Sequence, residues 1–429
     1  MANRASMLNK LFIYLLIFTF VLPSGRFGLF VAIPTAAILL INSIKNKNHP
    51  FKINTLDSEI KLQLLIDVSL LILISVYIIK SLILQYSDLL SIVNMFSQVV
   101  ALFLVINILW GVSRYEVIDL DVLKKALYIA MFLGLFSKIF FQFYFLFNEY
   151  RFSEIVIFYR NVFHSSVMTM RIGLSPLVRI QTPNDPFVLT MVSFFLIDRQ
   201  VKNVYKVIVI PLSAFYFLLV YSRVYLFQYA LMALVTLGVW FFYSPNRNRL
   251  YKYYIAGLGL VVSMLTVGRT VTKIVYDYFF GTRFAGQETG GAAGAAEISD
   301  QIRLNQGEVL WYNVQNRLFF GHGFASYISD FLRNPTSRFQ YELEYLALIF
   351  QFGIVGFSIF MGLMLFKIIK MIPWKHLYSR EIIVIVFNLL IWLMRPFFNP
   401  AILSTHSASV VGTVVFFGLY YHKKYEGRD

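Results

Sequence analysis

Positions 346–366 read LALIFQFGIVGFSIFMGLMLF, without one charged residue. A run of that length crosses a bilayer as a helix, because lipid offers backbone groups no water to bond. A membrane barrel would alternate apolar and polar residues, and this run does not. The pattern recurs. Apolar stretches fall at roughly 11–22, 27–43, 62–79, 90–112, 126–147, 187–197, 206–221, 224–242, 253–270, 343–366, 381–398 and 401–421, about twelve spans in all. With 58% of residues hydrophobic and a mean hydropathy of +0.67, a soluble enzyme of this length is excluded. The expected fold is all-α and polytopic, one transmembrane domain over 1–429. The N-terminal run LFIYLLIFTFVLP, followed by a weak cleavage pattern and many further spans, reads as a retained anchor.

Lysines set the orientation. With the N-terminus in the cytoplasm, the cytoplasmic loops collect Lys45, Lys47, Lys52 and Lys61, then Arg114, Lys124 and Lys125, and finally Lys367, Lys370 and Lys375. This is the positive-inside bias, and it predicts both termini in the cytoplasm. It also accounts for much of the net charge of +16 without a nucleic-acid partner. The chain has no cysteine, so disulfides, thiolate catalysis and cysteine metal sites are excluded. No histidine pair has metal-ligand spacing, and no nucleotide-binding loop is present. Neither a metal nor a cofactor is expected.

Two long loops on the outer side, 148–186 and 271–341, carry arginine in place of lysine. The first holds Arg151, Arg160, Arg171 and Arg179; the second holds Arg283, Arg303, Arg317, Arg333 and Arg338, with Lys273 alone near its start. Guanidinium bonds phosphate in a planar, bidentate way and stays charged, so these loops suit an oxyanion. The plainer account pairs each arginine with a nearby carboxylate or a lipid headgroup. Segment 286–296 (GQETGGAAGAA) reads as a flexible connector. Positions 299–320 then turn helical, with Ser299 as N-cap and a stop at Gly321-His322-Gly323. Glu342 and Glu344 open the next span; on a helix they point about 200° apart, so they cannot both face one site. Tyr345, and Arg338 if the helix extends back that far, would share the face of Glu342. Asp67 and Lys138 lie within apolar spans and could pair with each other.

Three places resemble the O-antigen polymerase and ligase superfamily of GT-C-type membrane glycosyltransferases. Tyr221-Ser222-Arg223 resembles its Ser-Arg turn before a transmembrane helix. Arg303, Trp311 and the Gly321-x-Gly323-Phe324 turn resemble its outer-loop pattern. Gly353-Ile354-Val355-Gly356 resembles its glycine end, with Glu342-Leu343 where the ligases carry a histidine. The motifs reach over about half the chain, each loose and specific only in their order. The glutamate in place of histidine counts against a ligase and toward a polymerase.

That resemblance implies transfer of a growing glycan from undecaprenyl pyrophosphate to another lipid-linked repeat unit. Arg223 and Arg303 would stabilise the leaving pyrophosphate, with Arg171, Arg179, Arg317, Arg338 and Tyr345 binding substrate. Glu342, or Glu344 as second choice, would take the proton of the acceptor hydroxyl. Membrane lipids and a chain-length regulator are the candidate partners. The rivals are an O-antigen ligase and a lipid-linked oligosaccharide flippase or anion transporter. Interrupted helices would favour the transporter, and none is legible.

Overall fold

The computed structural model describes residues 11–15, 17, 34–41, 58–163, 167–172, 177–220, 222–243, 292–332, 337–398 and 400–426. The protein is mostly helical. In chain order come α1 (Ser58–Leu84), α2 (Leu89–Arg114), α3 (Leu120–Phe147) and α4 (Phe152–Phe163), then β1 (Met168–Arg171) and β2 (Val178–Gln181). They are followed by α5 (Asp185–Ile197), α6 (Asn203–Val220), α7 (Arg223–Phe242), α8 (Ala292–Asn316), α9 (Glu344–Ile369), α10 (Arg380–Met394) and α11 (Thr405–Glu426). Among the described residues, five helices are long and apolar enough to cross a membrane: α1, α2, α3, α6 and α9. Two shorter apolar helices accompany them, Asp185–Ile197 and Val224–Thr236. The expected span at 253–270, half of that at 11–22 and about half of that at 27–43 lie outside the described residues.

Helix starts follow local chemistry. Asp88 accepts a hydrogen bond from Ser91 N at 2.7 Å and caps α2, and Ser379 caps α10 through Ile382 N. Pro186 sits in the first turn of α5, where a missing N–H does no harm. Every residue of α5 except Leu196 is buried, the mark of a helix enclosed on all sides. It packs against α3, α6, α7, α10 and α11, so α5 is the central post. On α1 the buried positions Ile66, Leu70, Ile74, Tyr77 and Ser81 repeat at helical spacing. The opposite face exposes Leu65, Ile72, Val76, Ile79 and Ile83. Such a surface suits lipid tails rather than water.

The structure corrects several expectations. The fold is not purely α: β1 and β2 form an antiparallel hairpin with Arg171 opposite Val178 and Met170 opposite Arg179. Segment 148–186 is therefore built from α4 and the hairpin, not a bare loop. Helix α8 begins at Ala292, so Ser299 is not its cap and 292–296 are helical; alanines there outweigh the glycines. Asp67 and Lys138 do not pair. Asp67 on α1 bonds Lys367 of α9 and Asn107 of α2, while Lys138 of α3 bonds Asp185 of α5. Helix α1 packs on α9, and α3 on α5, so each charge meets its nearest neighbour.

Helix α9 is interrupted, contrary to expectation. Gly353 has φ 65° and ψ 174°, which breaks the i to i−4 ladder inside an apolar span. The freed groups bond the turn at 318–323. His322 N and Gly323 N donate to Phe350 O and Gln351 O at 2.9 Å, and Ile354 N and Val355 N donate to Leu318 O and Phe319 O at 2.9 and 3.1 Å. Backbones approach so closely that a Cβ on Gly353 would lie 2.3 Å from Phe319 O, and one on Gly321 2.3 Å from Gly353 N. Lys80 of α1 caps the turn from the side, bonding Phe320 O at 2.6 Å and Gly321 O at 2.8 Å.

Two outcomes are expected from this packing. Gly353→Ala loses about 2 kcal/mol from the left-handed backbone alone, read as a lower melting temperature in detergent, whereas Gly362→Ala, a helical position with open space, does not lower it. Lys367→Met leaves Asp67 without its cation and costs about 3 kcal/mol, part of which Asp67→Leu restores in the double variant.

Candidate functional site

A cleft of about 600 Å³ opens between α7, α10 and α8. Val224, Phe227, Gln228 and Leu231 of α7 form one wall, at the spacing of a single helix face. Ile391 and Met394 of α10, with Phe397 and Phe398 of the 3₁₀ turn that follows it, form the second. Arg303 and Leu304 of α8 and Leu343 complete it. Apart from Gln228 and Arg303 the lining is apolar, which suits a hydrocarbon tail beside a polar edge.

The polar edge is the pair Arg303–Glu342. Arg303 Nε donates to Glu342 Oε2 at 2.6 Å. One turn along α8, Gln306 accepts from Glu342 N at 2.8 Å and Leu343 N at 3.1 Å. Thus α8 holds Glu342 by both side chain and backbone. Leu310 and Val314 in turn pack on Tyr341, Ala347 and Phe350 and seat α8 against α9. Glu342 lies before α9, whose first residue is Glu344. The shared helical face expected for Glu342, Tyr345 and Arg338 is therefore absent.

One residue beyond the lining on three chain segments lies a buried polar cluster. Val224, Leu343 and Met394 face the cleft, and their successors Tyr225, Glu344 and Arg395 are buried. Arg395 Nη2 donates to Tyr225 OH at 2.7 Å, and the guanidinium lies 5.2 Å from the centre of the same ring. Glu344 accepts from Ala401 N, Ile402 N and Leu403 N at 2.5, 2.6 and 2.7 Å. Its carboxylate is engaged by that turn, which leaves Glu342 as the glutamate at the edge of the cleft. Arg179 of β2 donates to Val220 O at 3.2 Å and to Gln181, and lies within electrostatic reach of Tyr225.

The expected arginines do not all converge. Arg303 lines the cleft, and Arg179 belongs with the buried cluster behind it. Arg223 is the first residue of α7, next to Val224 of the lining, and Arg171 ends β1; their side chains lie outside the described residues. Arg317 and Arg338 belong elsewhere: Arg317 lies over the Tyr86 ring at 5.1 Å, and Arg338 donates to Asp88 at 3.2 Å. Tyr345 OH donates to Leu393 O at 2.6 Å, and its ring packs edge-on against Phe397, so it braces the cleft wall. Arg395, Tyr225 and Gln306 were not singled out from sequence. Arg395 carried a usable signal: a charge within the expected span 381–398, the criterion that marked Asp67 and Lys138.

His322 sits in the turn that closes the break in α9. Its ring stacks on Phe350 at 4.4 Å and meets Tyr86 edge-on. Burial pushes its pKa below the usual histidine value; a hydrogen bond with Phe350 O opposes this, and Arg317 and Lys80 add to the lowering. A histidine with a depressed native pKa takes up its proton more readily when unfolded. Stability is present above the ordinary value of about 6.5 and lost as pH falls from there through the depressed native pKa. The melting temperature of the wild type should drop from pH 7 to pH 5, and that drop should shrink in His322→Gln. No protein-family model and no curated protein matches the chain.

Proposed function

We propose that the chain is a membrane glycosyltransferase that polymerises a surface polysaccharide in the bacterial inner membrane. It would move a growing glycan from undecaprenyl pyrophosphate to a lipid-linked repeat unit. The observation that carries this is the apolar cleft edged by the Arg303–Glu342 pair. A lipid carrier needs both parts, a dry seat for its tail and a cation beside its diphosphate.

In this reaction the acceptor hydroxyl oxygen attacks the anomeric carbon as the bond from that carbon to the pyrophosphate oxygen breaks. The electron pair leaves with the pyrophosphate, and the hydroxyl proton passes to Glu342. Arg303 offsets the charge that develops on the leaving group. Its transfer from Glu342 to the diphosphate would free the carboxylate to accept that proton. Gln306 keeps Glu342 in place meanwhile through the backbone. Holding donor and acceptor lipids in one membrane plane supplies orientation. Arg223 and Arg171 remain substrate contacts in this scheme, as does Arg179 from behind the cleft; Arg317 and Arg338 do not, being held at Tyr86 and Asp88.

The break at Gly353 is the observation that favours a flippase or transporter, since interrupted helices there expose backbone to a solute. Here the freed groups are bonded to 318–323, so they have nothing to offer a passing ion. A ligase differs only in its acceptor, and a deletion strain separates the two. Loss of a polymerase leaves single repeat units attached; loss of a ligase leaves none.

Arg303→Ala should lower extension about a hundredfold, the scale for losing one donor to a developing anion, seen as short chains on a gel. Glu342→Gln should abolish extension at normal expression, and Arg338→Ala should leave chain length unchanged. Long chains from Glu342→Gln would remove it as the base.

A further inference from the structure

Arg395 is 5% exposed, and among the described residues it forms no ion pair. Its Nη2 is used by Tyr225, while its Nη1 is buried and has no hydrogen-bond partner. The charges around it are already engaged. Asp185, which lies within electrostatic reach of the same Tyr225, is bonded to Lys138. Glu344 lies within electrostatic reach of Arg395, yet its oxygens are taken by the amides of Ala401, Ile402 and Leu403. A guanidinium cannot shed its proton to escape burial, and a buried cation with an idle donor is costly in a membrane domain. Its sequence neighbours Met394, Phe397 and Phe398 line the apolar cleft, as does Val224 beside Tyr225.

We propose that Arg395 and Tyr225 form an oxyanion site at the base of the cleft, which takes the phosphate head of a lipid whose tail lies along Phe227, Leu231 and Phe397. The guanidinium supplies a planar donor pair and the tyrosine a hydroxyl, a set matched to tetrahedral phosphate oxygens. The proposal rests on the glycosyltransferase reading for the identity of the lipid, a polyprenyl pyrophosphate. It places the inner phosphate on a residue of α10's end rather than on the arginines of the 148–186 and 271–341 segments. Arg303, at the opposite edge, would then meet the portion of the diphosphate nearer the sugar.

The test measures binding of undecaprenyl pyrophosphate to the full-length protein in detergent. Inorganic pyrophosphate, undecaprenol and phosphatidylglycerol vesicles run as separate arms. Wild type should bind undecaprenyl pyrophosphate at least about tenfold more tightly than any of the three. Arg395→Gln should abolish that preference. Arg395→Lys, which keeps the charge for a chain that would not otherwise fold, should retain binding but weaken it about tenfold, because an ammonium lacks the planar fork. Wild-type affinity in both variants would overturn the site while leaving the polymerase reading standing. Inorganic pyrophosphate bound as tightly as the lipid would overturn the seat for the tail, and phosphatidylglycerol bound as tightly would overturn the carrier as ligand. Loss of lipid binding in Arg395→Gln, from a protein whose deletion leaves polysaccharide length unchanged, would keep the site and sink the polymerase reading.

Discussion

The break in α9 and the turn that fills it are the constraint on which the rest depends. A membrane-spanning backbone has no water to satisfy a missing ladder bond. The amides and carbonyls around Gly353 can exist only because Leu318, Phe319, His322 and Gly323 meet them. That meeting fixes where α8 ends, and α8 carries Arg303 and Gln306 to Glu342. Lys80 and the Tyr77 hydroxyl, which bonds Phe352 O at 2.6 Å, tie the same junction to α1. The position of the polar edge of the cleft is thus inherited from a backbone contact far more rigid than any side-chain pair.

Much of the fold was legible because apolar runs in a membrane protein admit few alternatives. The five long spans, the helical turn of 299–320 and the glycines at 321, 323, 353 and 356 were all visible. What was not visible was why the glycines are there. Gly321 and Gly353 lie thirty-two positions apart and serve one contact that no local window holds. The charges show the same limit. Asp67 and Lys138 were recognised as needing partners, yet Lys367 and Asp185 were closer in the fold than either was to the other. Pattern identifies a charge that must be satisfied; only packing names the group that satisfies it.

The candidate site was half legible. Arg303 and Glu342 stand out in the sequence on separate grounds and form a pair in the fold, whereas Glu344, two residues on, is committed to the turn at 401–403. Their difference follows from where α9 starts, which is the least certain part of any helix boundary read from sequence. Arg395 sits in the expected span 381–398 with apolar residues before it and a proline after it, and only packing shows the guanidinium buried against Tyr225. Arg317 and Arg338 fitted the composition argument, but Tyr86 and Asp88 had claimed them. Arginine-rich loops therefore point to chemistry only after each guanidinium has been assigned its partner.

The carboxylate of Glu344 has a consequence for biogenesis. Its ligands, the amides of 401–403, leave the ribosome more than fifty residues after it does. Until they arrive, the carboxylate at the start of α9 lacks the three amides that bond it in the folded protein. The seat of α9 at Glu344 is therefore completed from the carboxyl side, by the segment that leads into α11.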